Sequence, residues 1–352
     1  MANIIICADG TWNRPEEDLE KDHATNVLKM ARAIKPASGD LKQHVFYDWG
    51  LGSYHNPVGA GVTGSGINKN ILDGYRYIVQ NYAPGDKIFL FGFSRGAYTV
   101  RALCGLINNC GILKRPHARL IERAWRMYKS TQKKYRPKGD DAEKFRVDYC
   151  HTSRNVEHAC RKIEFVGVWD TVGALGIPFS LLGLFDSKDE FYDTKMGSNV
   201  NISRHALAID EQRVDFKPTI WTPRSGVDLK QVWFAGVHSD IGGSEGPDKH
   251  TGNTVSDLSL GWMIDEAKAA GLKIESYISD NLTDGLNAPL HKSRRHIYRL
   301  KKRLHRQLVI KDIPTKIHPS VKARYHADAK YRPPQLESLV DEIGWAAIDV
   351  GV

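Results

Sequence analysis

Gly92-Phe93-Ser94-Arg95-Gly96 is the stretch whose residue types and spacing point most directly to chemistry. A serine hydroxyl becomes a nucleophile when it stands clear of its surroundings beside a base and a donor for the oxyanion it creates. Glycines on either side of the serine let a strand and a helix close on a tight turn, because neither carries a Cβ. The flanks fit that context. Pro84-Gly85-Asp86 reads as a turn, Lys87-Ile88-Phe89-Leu90-Phe91 as a strand, and a helical stretch begins at Ala97. The backbone N–H of Arg95, at the helix N-terminus, is the expected oxyanion donor. A serine that merely packs a strand–helix turn is the bland alternative for the same five residues.

An orienting acid and a base follow in the chain. Ile163 to Trp169 reads as a strand, with Asp170 at its C-terminal tip, although Asp170-Thr171 also suits a side-chain-to-backbone turn. Leu229 to Gly236 is another strand, and His238 stands just past it in a glycine-containing loop, able to reach sideways to a serine. Asp240, two residues on, is expected to shape that loop in a supporting role. At the N-terminus the apolar run Asn3 to Ala8 ends in Asp9-Gly10-Thr11. The N–H groups of Gly10 and Thr11 are candidates for the second oxyanion donor, and Asp9 for a supporting carboxylate. Asp-Gly-Thr is also half of a haloacid-dehalogenase-type phosphatase signature, but Cys7 stands where that signature needs an acid.

These side chains need elements to hold them. Spacing of apolar residues predicts helices over 25–34, 67–82, 97–109, 202–210 and 255–270, and a further strand over 43–47. The stretch 114–144 is basic and helical in pattern, and 174–185 reads as an apolar lid broken by Gly and Pro. Gly59-Ala60-Gly61-Val62-Thr63-Gly64 matches a dinucleotide fingerprint in letters but lacks the strand immediately before it, so a glycine-rich loop near the site mouth is expected. Lys292 to Arg306 holds eight Lys or Arg residues, which fits a solvated helix face or an anionic membrane surface.

The totals bound the class. At 352 residues, 41% hydrophobic and 26% charged, the chain suits a globular α/β domain. The net charge of +9 favours an anionic partner. No apolar run approaches the ~20 residues that span a bilayer. Five cysteines without a Cys-x-x-Cys argue for reduced thiols and against a zinc site. A single domain over 1–352 is expected, with a helical insertion at 114–160, a lid at 173–200 and a basic helical extension over 273–352 packed on the domain.

Longer words extend the pattern. Residues 7–13, 82–98, 166–173, 205–213 and 233–243 resemble the catalytic domain of the bacterial type VI secretion phospholipase effectors and their hydrolase relatives, and the likeness continues weakly through 317–324. The resemblance implies an α/β-hydrolase fold, with a mainly parallel central sheet flanked by helices, and a triad of Ser94, Asp170 and His238. It implies an ester or lipid substrate, no cofactor and no metal. It further implies a secretion or immunity partner and export by a contact-dependent system from the cytoplasm, since no Sec-type signal is visible. No specific nucleic acid is expected. Two other readings stay open on the residues alone: a metal-dependent phosphohydrolase using Asp9, Asp170 and Asp240, and a basic membrane- or nucleic-acid-binding module on an inactive hydrolase fold.

Overall fold

The computed structural model describes residues 1–10, 13, 15–18, 22–50, 64–153, 156–172, 196–294, 298, 300–309 and 312–352. Its elements run β1 (Ala2–Ala8), α1 (Asn26–Ala33), β2 (Ala37–Ser38), β3 (Leu41–Asp48), α2 (Gly64–Asn81), β4 (Lys87–Phe93), α3 (Arg95–Cys110), α4 (Ile121–Lys129), α5 (Asp140–Tyr149), β5 (Thr152–Ser153) and β6 (Val156–Ala159). They continue with β7 (Ile163–Trp169), β8 (Val200–Ala208), β9 (Asp228–Phe234), α6 (His238–Gly242), α7 (Ser256–Ala269), α8 (Ser276–Asp280), β10 (Lys316–Ile317), α9 (Pro319–Ala327) and α10 (Pro334–Ala347).

Apolar residues on both faces of β1 dictate the layering. Ile4, Ile6 and Ala8 enter one core with Ile71, Tyr75 and Ile78 of α2 and Val100 and Leu103 of α3. Ile5 and Cys7 enter another with Val27 and Met30 of α1 and Leu260, Met263 and Ile264 of α7. A strand of this kind is stable only with helices covering both sides, the condition of a parallel sheet. The sheet has eight strands in the order β10-β9-β8-β7-β4-β1-β3-β2, and the edge strand β2 pairs antiparallel while the rest are parallel. This is the α/β-hydrolase-like architecture expected from the sequence.

Register aligns the strand tips. Ala8 pairs with Gly92, Phe93 with Trp169 and Ala208 with Phe234, so the segments after β1, β4, β7, β8 and β9 leave along one rim. From β1 the chain first moves outward to β3, then returns to β4 on the other side and continues through β7, β8 and β9. The reversal lies between β1 and β4, where connections diverge and open a crevice at the carboxyl ends of the strands.

One expected helix is a strand. Residues 202–210 were expected to be helical, yet β8 runs through most of them, flanked on both sides by parallel ladders in which Ala206 faces Trp169 and Val232. The helix-favouring Ala-Leu-Ala run is overridden by two ladders of backbone hydrogen bonds. The basic stretch 114–144 is helical as expected, and Trp125, Met127, Tyr128 and Phe145 of α4 and α5 join the core against α3. The described part of 292–306 contains no α-helix. A third core cluster, with Leu207, Trp233, Leu308, Val321 and Leu336, seats the C-terminal segments against β8 and β9. The expected lid at 174–185 and the glycine-rich loop at 59–63 lie outside the described residues. No helix among the described residues is long and apolar enough to cross a membrane.

Two glycines join the central layers. A Cβ at Gly92 would lie 2.5 Å from the carbonyl oxygen of Gly96, and one at Gly96 would fall on the Ala8 carbonyl, so α3 touches the backbone of β1 through Gly96. Gly96→Ala is therefore expected to cost about 3 kcal/mol through overpacking against backbone that cannot move aside, checked by the urea unfolding midpoint.

Candidate active site

Ser94 sits between β4 and α3 with φ 57° and ψ −118°, outside the regions a non-glycine residue adopts comfortably. The turn is held from both ends. The N–H of Ser94 donates to the Trp169 carbonyl at 3.1 Å, and the Ser94 carbonyl accepts from Tyr98 N–H. Arg95 is the first residue of α3, at the positive end of the helix dipole. A backbone at this steep angle between strand and helix is what the Gly-x-Ser-x-Gly spacing predicts.

Asp170 follows β7, beside the elbow. Its backbone also has positive φ (39°), and its carboxylate is fully buried. Oδ2 lies 2.6 Å from Nδ1 of His238. Oδ1 accepts the Ala208 N–H at 3.0 Å, and the guanidinium of Arg306 spans both oxygens at 2.6 and 3.0 Å. Burial opposes the charge, but Arg306 and His238 outweigh it and hold the carboxyl well below the usual carboxylate range.

His238 opens α6 after β9. Its ring lies 4.6 Å, centroid to centroid, from Phe93, the immediate neighbour of Ser94, and Phe216 closes from the edge at 4.9 Å. The backbone N–H of His238 donates to Glu211 Oε2 at 3.3 Å, and Glu211 is paired with Arg213, whose guanidinium stacks 3.4 Å over the Phe216 ring. Burial pushes the imidazole below its ordinary value, against the pull of Asp170. A ring that is neutral at pH 7 has one nitrogen free to accept a proton. With the ionised carboxylate on Nδ1–H, that nitrogen is Nε2.

The remaining sequence candidates have separate settings. Asp9 is buried and accepts from Gly10 N–H at 2.7 Å, Thr25 Oγ1 at 2.5 Å and the Tyr47 hydroxyl at 2.7 Å, while burial pushes it up to about 6. The Gly10 N–H thus points at the Asp9 carboxylate, although the Gly10 backbone lies against Ser94 (3.2 Å from a built Cβ to that of Ser94). Thr11 lies outside the described residues. Asp240 accepts from the Val237 N–H at 2.9 Å and pairs with Nδ1 of His291 at 2.6 Å. Asp9, Asp170 and Asp240 therefore belong to three networks, not to the shared cluster that a metal-dependent phosphohydrolase reading needs. Among the described residues no group of three His, Cys, Asp or Glu side chains is placed to hold a metal ion.

Arg306 is a site neighbour that the sequence pattern does not single out. It belongs to the basic run expected to form a solvated face, yet its side chain is fully buried and also donates to the carbonyls of Ala208 and Phe216. Lys301 of the same run pairs with Asp215, and Arg294 donates to the Lys301 carbonyl. Nothing in the spacing of this run marks Arg306 apart from its neighbours. Glu211 and Arg213, by contrast, lie in the 205–213 word already singled out.

Two measurements check these electrostatics. Asp170→Asn strands a buried guanidinium and is expected to cost about 3–5 kcal/mol at neutral pH, with part regained in D170N/R306M. The folded carboxyl titrates below its unfolded value, so its contribution is present above about pH 4 and fades as pH falls. The D170N deficit measured by denaturant unfolding should accordingly shrink in acid. The His238 ring, followed by NMR, should titrate below the ordinary histidine value of about 6.5.

Comparison with known proteins places the chain in a family. The catalytic-domain model described as "T6SS, Phospholipase effector Tle1-like" matches residues 2–266. A curated relative, the uncharacterized protein YEL023C of Saccharomyces cerevisiae, is 28% identical over 244 residues, which is 63% of this chain and 33% of that protein. The chain thus spans about a third of the length of that relative. Among solved structures, an uncharacterized protein from Pseudomonas aeruginosa aligns with a TM-score of 0.47 at 17% identity, over 79% of this chain and 47% of that one. The Tle1 effector, bound in that structure to the VgrG spike of the type 6 secretion system, aligns at 0.41 and 17%, over 72% and 52%. With its model covering β1 through most of α7, including Ser94, Asp170 and His238, the chain belongs to the Tle1-like phospholipase effector family through its catalytic domain.

Proposed function

We propose that the chain is a serine hydrolase that cleaves carboxylic esters, with lipid and phospholipid acyl esters as the substrate class. The observation that carries this reading is the 2.6 Å contact of His238 Nδ1 with the buried Asp170, beside a strained serine at the strand-order reversal. Family membership supports the lipase chemistry.

In this reading Ser94 Oγ attacks the ester carbonyl carbon while His238 Nε2 takes the hydroxyl proton. Asp170 keeps the imidazole in the required tautomer and stabilises it once charged. The Arg95 N–H, at the start of α3, faces the developing oxyanion. The C–O bond breaks, the alcohol leaves with the proton from His238, and water repeats the sequence to release the acid and restore Ser94. Asp9 and Asp240 support the loops on either side. The exposed side chains of Lys302 and Arg303 extend the reading to an anionic lipid surface, and the family description extends it to a secretion-system partner.

Fluorophosphonate labelling of wild type beside Ser94→Ala, followed by a p-nitrophenyl ester and phospholipid panel, tests the proposal. Ser94→Ala should lose the label and lower turnover by ~10⁴-fold or more. Label or hydrolysis that persists in Ser94→Ala would sink it.

A further inference from the structure

Asp170 is held by a guanidinium as well as by a histidine. Arg306 meets both of its oxygens in the fork geometry that fixes a carboxylate plane. Both side chains are fully buried. The fork is itself held, since its two terminal nitrogens also donate to the carbonyls of Ala208, at 2.8 Å, and Phe216, at 2.6 Å. Those carbonyls belong to the end of β8 and to the residue whose ring closes on His238.

The segment that delivers Arg306 is strapped on both sides. Arg303 bridges to Arg213, and Leu304 N–H donates to the Gln212 carbonyl at 2.8 Å. Beyond Arg306, the Leu308 carbonyl accepts from the Trp233 indole at 3.1 Å, and the Leu308 side chain is buried in the third core cluster. Arg306 lies past residue 266, where the family match ends.

We propose that Arg306 is a positioning residue for the chemistry of Ser94 and His238: its fork orients the Asp170 carboxylate toward the imidazole and offsets its charge. The inference rests on the serine-hydrolase reading above. The charged and titratable groups around the pair are Asp170 after β7, Glu211 and Arg213 after β8, Arg306 itself, and His205 of β8, whose Nε2 accepts the Thr171 N–H. Asp170 with Arg306 is close to neutral, so the imidazolium gains less from it than from a lone carboxylate. Removing the guanidinium leaves the negative charge facing His238 and favours the protonated ring. Keeping the charge but losing the fork disturbs orientation alone.

The test compares kcat/KM against pH for wild type, R306M and R306K on a p-nitrophenyl ester, normalised to active sites titrated with fluorophosphonate. R306M is expected to lose ~10²-fold at neutral pH and to move the acid limb upward by roughly half a pH unit or more. R306K is expected to lose about tenfold with the acid limb unmoved. Should R306M not fold, R306K decides alone: wild-type kcat/KM in R306K overturns the role. For folded R306M, an acid limb superimposed on that of wild type does so, because a merely structural residue changes the number of active sites and not their titration. Failure of the underlying reading looks different, since Ser94→Ala would then retain label and activity whatever Arg306 does.

Discussion

A carboxylate with no solvent exposure must be repaid for its lost hydration, and Asp170 organises this rim because three parts of the chain do so together. Desolvating one ion costs several kcal/mol in a protein interior. Here the Ala208 N–H, the His238 ring and the two terminal nitrogens of Arg306 share the two oxygens. Each partner comes from a different element, so the charge ties the end of β8, the start of α6 and the segment before β10 to the tip of β7. The same burial that makes an unpaired Asp170 expensive makes the fully satisfied cluster favourable.

Strain accompanies the charge. Ser94 and Asp170 have positive φ at the tips of adjacent strands, where β4 and β7 pair Phe93 with Trp169. Conformations of this kind cost of order 1–3 kcal/mol each and persist only when the surroundings impose them. The imposition is visible: Ser94 N–H is held by the Trp169 carbonyl, Asp170 N–H by that of Ala206, and α3 is docked on β1 through Gly96. The parallel sheet buried on both faces places both strained residues on one rim.

His238 is held by packing as much as by polar contacts. Phe93 and Phe216 bracket the imidazole, and Arg213 stacked on Phe216 is fixed by Glu211, which also accepts the His238 N–H. Apolar walls lower the affinity of the ring for a proton, while Asp170 restores part of it. The result is an imidazole fixed in orientation, with its proton affinity lowered by burial.

Local sequence determined a good deal of this. Gly92 and Gly96 around Ser94, the apolar runs of β1, β4, β7 and β9, and the acids and histidine at their tips are short-range patterns, legible because strand, turn and helix propensities act within a few residues. Where two such signals compete, tertiary structure decided. The 202–210 stretch became β8 because ladders on both sides outweigh helix propensity, and the basic run near 306 turned one arginine inward because Asp170, far away in the chain, needed a counter-charge. A one-dimensional pattern records the charge of Arg306 but not the buried carboxylate that selects it. That pairing exists only once the sheet has closed and desolvated the acid.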